Sequence, residues 1–539
     1  MDLIKNAAMV KNGETALGIE LGSTRIKAVL VGSDSEIIAT GSFAWENQLN
    51  DGIWTYGLSE AWRGIQACYA AIAANVRTQC RVPITKIGAI GISAMMHGYM
   101  PFDAKGRQLA GFRTWRNNIT GQASGILSAK FAFNIPQRWS IAHLYQALLN
   151  GEAHVKDIVF LTTLAGYVHW QLCGEKVLGI GDASGMFPVD EATGSYDARM
   201  AAAFMNLPEP AQQPWTLTGI LPRVLRAGRN AGRLTEAGAS LLDPSGVLEA
   251  GCLMAPPEGD AGTGMVSTNT VRKRTGNISV GTSAFSMNVL DAPLKAVYQD
   301  IDIVTTPEGA PVAMVHTNNC SSDINAWVKL FGEFAEYLGL RVTSDELYKL
   351  LFLHTVKGDS NAGGLVNYSY LSGENITRID TGRPLFVRSP HSRFSLPNFM
   401  LSQLYAAFAP LKIGMDILTQ AENIQMDVMI AQGGLFRTPI IAQQVLANML
   451  DMPITVMETA GEGGPWGMAL LALYACQANS GQSLADYLDQ QAFRQTKSRT
   501  LMPEPRGVNG ARQFIARYRA GLPLAASAAV IPDFETKED

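Results

Sequence analysis

No two cysteines of this chain form a C-x-x-C pair: Cys68, Cys80, Cys173, Cys252, Cys320 and Cys476 are scattered along 539 residues. That scatter implies reduced, mostly buried thiols in the cytoplasm, each of them core filler. No run of about 18 apolar residues occurs, so no transmembrane helix is expected. Met1-Asp2-Leu3-Ile4-Lys5 lacks the sustained apolar region of a secretory signal. Basic charge is not in surplus either: 43 Lys and Arg against 47 Asp and Glu leave a net charge of −4. General binding of nucleic acid or of an anionic membrane is therefore not expected. The seven histidines form no zinc-spaced cluster, and neither a G-x-x-x-x-G-K-[ST] loop nor a G-x-G-x-x-G turn leading into a helix is present. Glycine, in contrast, is plentiful at 52 residues, with 47% hydrophobic and 17% charged residues. Such a composition describes a loop-rich α/β protein, and the length predicts two large domains.

Two apolar runs, Leu17–Leu21 and Ile26–Leu30, flank Gly22-Ser23-Thr24 and predict a β-hairpin. Glu20 alternates with the aliphatic residues and projects from the opposite face. Gly22 permits close backbone approach to a ligand, Ser23 and Thr24 add hydroxyl donors, and the carboxylate of Glu20 could hold a metal ion. Taken alone, the segment is equally well a plain turn. Ser59–Val76 predicts a helix capped by Ser59, with Trp62, Ile65, Tyr69 and Ile72 on one face. The buried strand Ile87–Ala94 then ends in Met95-Met96-His97-Gly98, the kind of strand end where α/β folds place ligands. Ala255–Gly264, rich in Pro and Gly, marks a domain boundary.

Beyond that boundary, Asn277–Met287 repeats the opening theme around Gly281-Thr282-Ser283, which suggests two similarly folded halves. A third glycine site, Gly433-Gly434, follows the apolar strand 428–432 and precedes a helix expected from about Pro439 to Leu450. The small-residue segment opening at Thr459 predicts a buried helix, and the tail after Ala520 is expected to fray.

In order, Gly18–Lys27, Met96-His97-Gly98, Gly259-Asp260-Ala261-Gly262, Gly281-Thr282-Ser283 and Gly433-Gly434 resemble the motifs of the FGGY carbohydrate kinases, nearest to the xylulokinase and ribulokinase branches. The resemblance runs from about residue 15 to residue 475. It implies an α/β chain of two ribonuclease-H-like (actin-like ATPase) domains with an interdomain cleft, at 15–255 on the sugar and phosphate side and 256–520 on the nucleotide side. It further implies ATP and Mg²⁺ as cofactors and a small sugar or polyol as substrate, most nearly a ketopentose. Met96-His97-Gly98 looks like the sugar-binding motif, Trp115-Arg116-Asn117 falls at the family's substrate loop, and Asn367–Glu374 is similar to a family segment of the second domain. Where the family usually has Asp beside the metal, this chain has Glu20, one methylene longer.

Phosphoryl transfer needs a base, an in-line alcohol and donors around the phosphate oxygens. Asp260 is the expected base, and with Glu20 it stands on the metal side. Its alternative reading is a helix N-cap in a boundary loop. Met96, His97, Trp115 and Asp260 are expected to bind the sugar. Gly22, Ser23, Thr24, Gly281, Thr282, Gly433 and Gly434 are expected to bind the nucleotide. Asp182 reads equally as an Asx turn and as a substrate contact. Lys27 reads as a solvated strand residue. A homodimer is left open, as are an actin-like regulatory ATPase and a sugar-binding pseudokinase.

Overall fold

A computed structural model of the chain describes residues 3–438, 440–457, 463–477 and 481–532. The chain forms two compact units, one from Met1–Lys273, Val289–Ala313 and Glu462–Thr496, the other from Arg274–Asn288, Met314–Gly461 and Lys497–Asp539. Among the described residues, no helix is long and apolar enough to cross a membrane.

The sheet of the first unit is built from β1 (Thr15–Leu21), β2 (Arg25–Gly32), β3 (Ile37–Ala44), β4 (Ala89–Ala94), β5 (Leu253–Met254) and β6 (Glu258–Gly259). Its order is β5-β4-β1-β2-β3, with β6 also paired to β4. The expected hairpin is present: β1 and β2 run antiparallel with Glu20 opposite Lys27. Leu17, Ile19 and Leu21 are fully buried. Gly18 faces the helix Gly463–Gln477, where a methyl group would lie 2.0 Å from the Pro465 carbonyl and 2.5 Å from the Ala469 nitrogen. A methyl at Gly467 would in turn lie 2.1 Å from the carbonyl of Thr263, on the helix Asp260–Ser267. Small residues thus let the apolar helix lie backbone-close to both the sheet and its neighbouring helix.

The helix Leu58–Cys80 buries Ile65, Tyr69 and Ile72 as the periodicity predicts, while Trp62 is only partly buried against the same core. Its start differs from expectation. Gly57, extended at φ −74° and ψ 128°, is the N-cap and no side chain caps the helix, so Ser59 lies within the first turn. All six cysteines are free thiols, four of them buried, with Cys252 partly buried and Cys476 exposed.

In the second unit, β7 (Thr275–Val280), β8 (Ala284–Val289), β9 (Pro311–Thr317), β10 (Val428–Gly433), β11 (Ile454–Met457) and β12 (Ser498–Leu501) run in the order β9-β8-β7-β10-β11-β12. The sequence echo becomes a topological one, since each unit has an antiparallel hairpin whose first strand also pairs in parallel with a later strand. The helix Leu396–Asp416 is buried over almost its whole length and forms the core of this unit. After β10 the chain makes a 3₁₀ turn, Gly434–Arg437, and the helix proper is Ile441–Leu450. Ile440 at φ 78° separates the two, because a left-handed residue cannot continue a right-handed helix. Pro439 and Thr459–Glu462, singled out in the sequence, lie outside the described residues. The frayed tail is corrected in part. Leu522–Ser527 is helical with a proline in its first turn, and Ala525 is buried.

Candidate active site

The turn Gly22-Ser23-Thr24 closes on itself through the Gly22 amide donating to the Arg25 carbonyl at 3.0 Å. Ser23 and Thr24 are exposed. On the adjoining strand ends, β1, β4 and β6 are parallel, and Glu20 pairs with Ser93, which pairs on its other side with Glu258. Two carboxylates and a hydroxyl therefore stand in one register at the C-terminal edge of the sheet, where α/β folds assemble sites.

Asp260 opens the helix that follows β6, with Gly259 as N-cap. Its Oδ1 accepts the amides of Ala261 at 2.9 Å and of Met96 at 3.4 Å. Asp260 is thus a first-turn residue rather than the cap itself. The helix N-terminus favours a carboxylate there, yet although the residue is exposed, desolvation of its carboxyl by the surrounding protein pushes its pKa up to about 6. A carboxylate poised near neutrality suits proton transfer. Asp182 lies in the short helix Ile180–Ser184 and accepts the Thr163 hydroxyl at 2.6 Å. Its other oxygen is buried without a partner among the described residues. No Asx turn is made, since these bonds do not go to its own backbone. Burial, and then the charge of Asp260, push Asp182 up to about 7.

Glu258 is the residue that sequence reasoning missed. It is buried, and its carboxylate accepts the amides of Gly181 at 3.3 Å and Asp182 at 3.0 Å. It stands two positions before Asp260 in the segment read as a domain boundary, and that adjacency was the one available signal. Burial, followed by the charge of Asp182, pushes it up to about 8.

Met96 and His97 come together around Gly185, where a methyl would meet His97 Nδ1 at 2.7 Å and Met96 Cε at 2.8 Å. Met96 also borders Gly259, so Met96, His97, Asp182 and Asp260 form one group. His97 has φ 71°, in the left-handed region. Its Nδ1 is 3.0 Å from the Gly185 carbonyl, and the ring stacks on Trp139 at 6.1 Å. A carbonyl cannot donate, so Nδ1 carries the proton and Nε2 is left as an acceptor. Burial and then Arg138 hold the His97 pKa down at about 3, so the ring is neutral at ordinary pH. Trp115 is two residues past Arg113, which bridges to Tyr99 just beyond Met96-His97. It is partly buried against the core of this unit, on a loop tied to Trp54 by the Thr114 amide at 3.2 Å and by Asn117 at 2.8 Å. Among the described residues, no hydrogen bond links it to Met96, His97 or Asp260.

In the second unit Val280 pairs with Gly433, which brings Gly281-Thr282 and Gly433-Gly434 to one edge of the sheet. Gly433 has φ 122°, and a methyl there would lie 1.9 Å from the Val280 carbonyl. Only glycine fits that position. Gly434 has nothing within 4 Å of where a methyl would sit, so it faces open space.

Glu20 and Asp260 provide the test of fit for a divalent ion. Glu20 Oε2 is buried and has no partner among the described residues. A methyl at Gly464 would lie 1.6 Å from it, so the glycine makes room for the longer side chain. Burial, then the charge of Asp260, push Glu20 up to about 7, with Lys27 opposing. Two carboxylates disfavouring each other's charge, one of them with a free oxygen, suit an added cation. Among the described residues no three His, Cys, Asp or Glu side chains form a metal cage. Magnesium does not require one, since it commonly uses one or two carboxylates plus water and phosphate.

The raised carboxylates carry a pH consequence. Glu20, Asp182 and Glu258 are held at about 7, 7 and 8, against ordinary values near 4. The folded state therefore binds more protons than the unfolded one, and stability falls as pH rises through these values. Buried neutral His97 and His143 act in the opposite direction, but only below about 6.5. The ligand-free protein is expected to lose several degrees of Tm between about pH 6.5 and 8.5, and Glu258→Gln should flatten that slope. A melting series by circular dichroism checks it. A Tm that is flat or rises across this window contradicts the assignment.

The geometry can be set beside known proteins. The N-terminal domain model of the FGGY family of carbohydrate kinases matches residues 15–253, and the C-terminal domain model matches 276–476. A xylulose kinase of Haemophilus influenzae is 19% identical over 522 residues, covering 94% of this chain and 99% of its own. Among solved structures, ligand-bound xylulose kinase from Lactobacillus acidophilus superposes with a TM-score of 0.77 at 16% identity, covering 96% of this chain and 99% of its own. Gluconate kinase from the same organism gives 0.76 at 16% identity, covering 96% and 99%. The fold is the two-domain one shared with actin-like ATPases. With family models matching most of its length, the chain belongs to the FGGY carbohydrate kinases and is a sugar kinase.

Proposed function

We propose that this kinase transfers the γ-phosphoryl group of ATP to a hydroxyl of a ketopentose such as xylulose or ribulose, with Asp260 as general base. The observation that carries the reading is the position of Asp260. It opens a helix with its side chain solvent-accessible yet its carboxyl desolvated by the surrounding protein, bonded to the amide of Met96, with neutral His97 next in the chain. In the proposed step, the sugar hydroxyl gives its proton to an Asp260 oxygen as its oxygen bonds to phosphorus. The bond from phosphorus to the bridging oxygen breaks, and ADP leaves. Met96 and His97, with Trp115 on its loop, contribute to sugar binding, His97 Nε2 accepting a hydrogen bond from a sugar hydroxyl. Glu20 and Asp260 would hold Mg²⁺, which when bound neutralises phosphate charge. We assign the sugar and phosphate role to residues 15–255, together with Asp260, and the nucleotide role to the remainder of 256–520.

A coupled ADP-release screen over ketoses, aldoses and polyols tests the substrate class. Ketopentose turnover is expected to exceed that with every other sugar, and a strong preference for an aldose or a sugar acid overturns it. The nucleotide side has its own test. Gly434→Leu has room to fold, so it should weaken ATP binding about tenfold or more while sugar affinity stays within twofold. Calorimetric titration of each ligand reads this, and a loss confined to the sugar removes Gly434 from the nucleotide site.

A further inference from the structure

Three consecutive carbonyls of the Gly22-Ser23-Thr24 turn are held from behind. Trp45 Nε1 donates to the Gly22 carbonyl at 2.7 Å, and the Tyr56 hydroxyl donates to the Ser23 carbonyl at 2.6 Å. The Trp45 amide donates to the Thr24 carbonyl at 3.2 Å. Both rings are buried, and they stack with centroids 4.3 Å apart.

A trans peptide is planar, with its C=O and the following N–H pointing in opposite directions. Drawing the Gly22 and Ser23 carbonyls inward therefore turns the Ser23 and Thr24 amides outward. Among the described residues neither amide donates to a backbone carbonyl. The turn of the second unit reaches the same state with different donors. There the Gly281 carbonyl accepts the Ser321 amide at 3.1 Å and its hydroxyl at 2.6 Å, and the Thr282 carbonyl accepts the Cys320 amide at 2.9 Å. Glu374 holds that donor segment through the Asn318 and Asn319 amides, at 3.0 and 3.1 Å. Unrelated donors, mostly side chains in one turn and mostly backbone amides in the other, imposing one peptide orientation on two turns identify the orientation itself as the feature maintained.

We propose that Tyr56 and Trp45 are positioning residues that aim the Ser23 and Thr24 amides at the terminal phosphates of ATP. This rests on the reading of the turn as a phosphate site. Neither aromatic side chain touches the nucleotide. They hold the donors in place before binding, so that no reorientation accompanies it.

The test is calorimetric titration with the magnesium complex of a non-hydrolysable ATP analogue and, separately, with AMP. Tyr56→Phe keeps the stacked ring and removes one hydrogen bond. It should weaken the triphosphate about three- to tenfold, leave AMP within twofold and leave Tm nearly unchanged. Trp45→Phe should weaken the triphosphate selectively in the same way, though loss of part of its buried ring also lowers Tm. A general loosening would weaken both ligands in either variant or lower the Tm of Tyr56→Phe, and either result overturns the proposal. Thr24→Glu separates it from its premise, because the exposed carboxylate adds repulsion at the turn without disturbing packing. If Thr24→Glu weakens the triphosphate and Tyr56→Phe does not, the turn binds phosphate but the aromatic pair does not position it. If Thr24→Glu has no effect, the phosphate reading fails and the proposal with it.

Discussion

Asp260→Asn is expected to fold, to bind both substrates and to turn over about 10²–10⁴ times more slowly. That loss corresponds to about 3–5 kcal/mol in the barrier. The substitution is nearly isosteric, and Asn retains an oxygen that can accept the Met96 and Ala261 amides that Asp260 Oδ1 now accepts. What is removed is the negative charge, and with it the capacity to take the hydroxyl proton; the cation keeps the carboxylate of Glu20. Desolvation holds this carboxyl at about 6, so near neutral pH it is mostly ionised yet a stronger base than an ordinary aspartate. Glu20→Gln is the contrasting variant. It should act through the cation, raising the magnesium concentration needed for half-maximal rate more than it lowers the rate at saturation. Initial rates across magnesium concentrations, with sugar and ATP saturating, distinguish the two. An Asp260→Asn enzyme working near the parent rate removes the base from the mechanism.

Gly18→Ala should cost about 3–5 kcal/mol although it adds a single methyl group to a strand interior. Overpacking is tolerated when the obstructing atoms belong to a flexible side chain. Here they are the backbone carbonyl of Pro465, at 2.0 Å from the new carbon, and the backbone nitrogen of Ala469, at 2.5 Å. Relief requires the helix Gly463–Gln477 to shift, and that helix is in equally close contact with the Asp260–Ser267 helix through Gly467. Gly464, which leaves room for Glu20, would shift with it. The variant should therefore melt about 10 °C lower, or fail to accumulate as folded protein, and any surviving fraction should be impaired in magnesium use. Differential scanning calorimetry reads the first effect. A Tm within two degrees of the parent would show that the helix can move freely, and would withdraw the argument for close packing.

The amino-acid sequence by itself determined what depends on neighbours in the chain. Alternating aliphatics define the hairpin around Gly22, the 3.6-residue period defines the buried face of Leu58–Cys80, and the glycine-flanked Asp260 marks its site. Where a local rule failed, a local conformation explains it: Gly57 is extended two residues ahead of Ser59, and Ile440 is left-handed before Ile441. Charge states and donor directions were set by tertiary structure alone. Glu258 became part of the site only when folding placed Gly181 and Asp182 against its carboxylate. Glu20 became an unpartnered buried acid only when Gly464, more than four hundred residues later, left space for it. The physical reason is that φ/ψ preference and amphipathic period are properties of a few consecutive residues. Desolvation, charge coupling and the aim of a peptide group depend on whichever distant atoms the fold brings within a few ångströms.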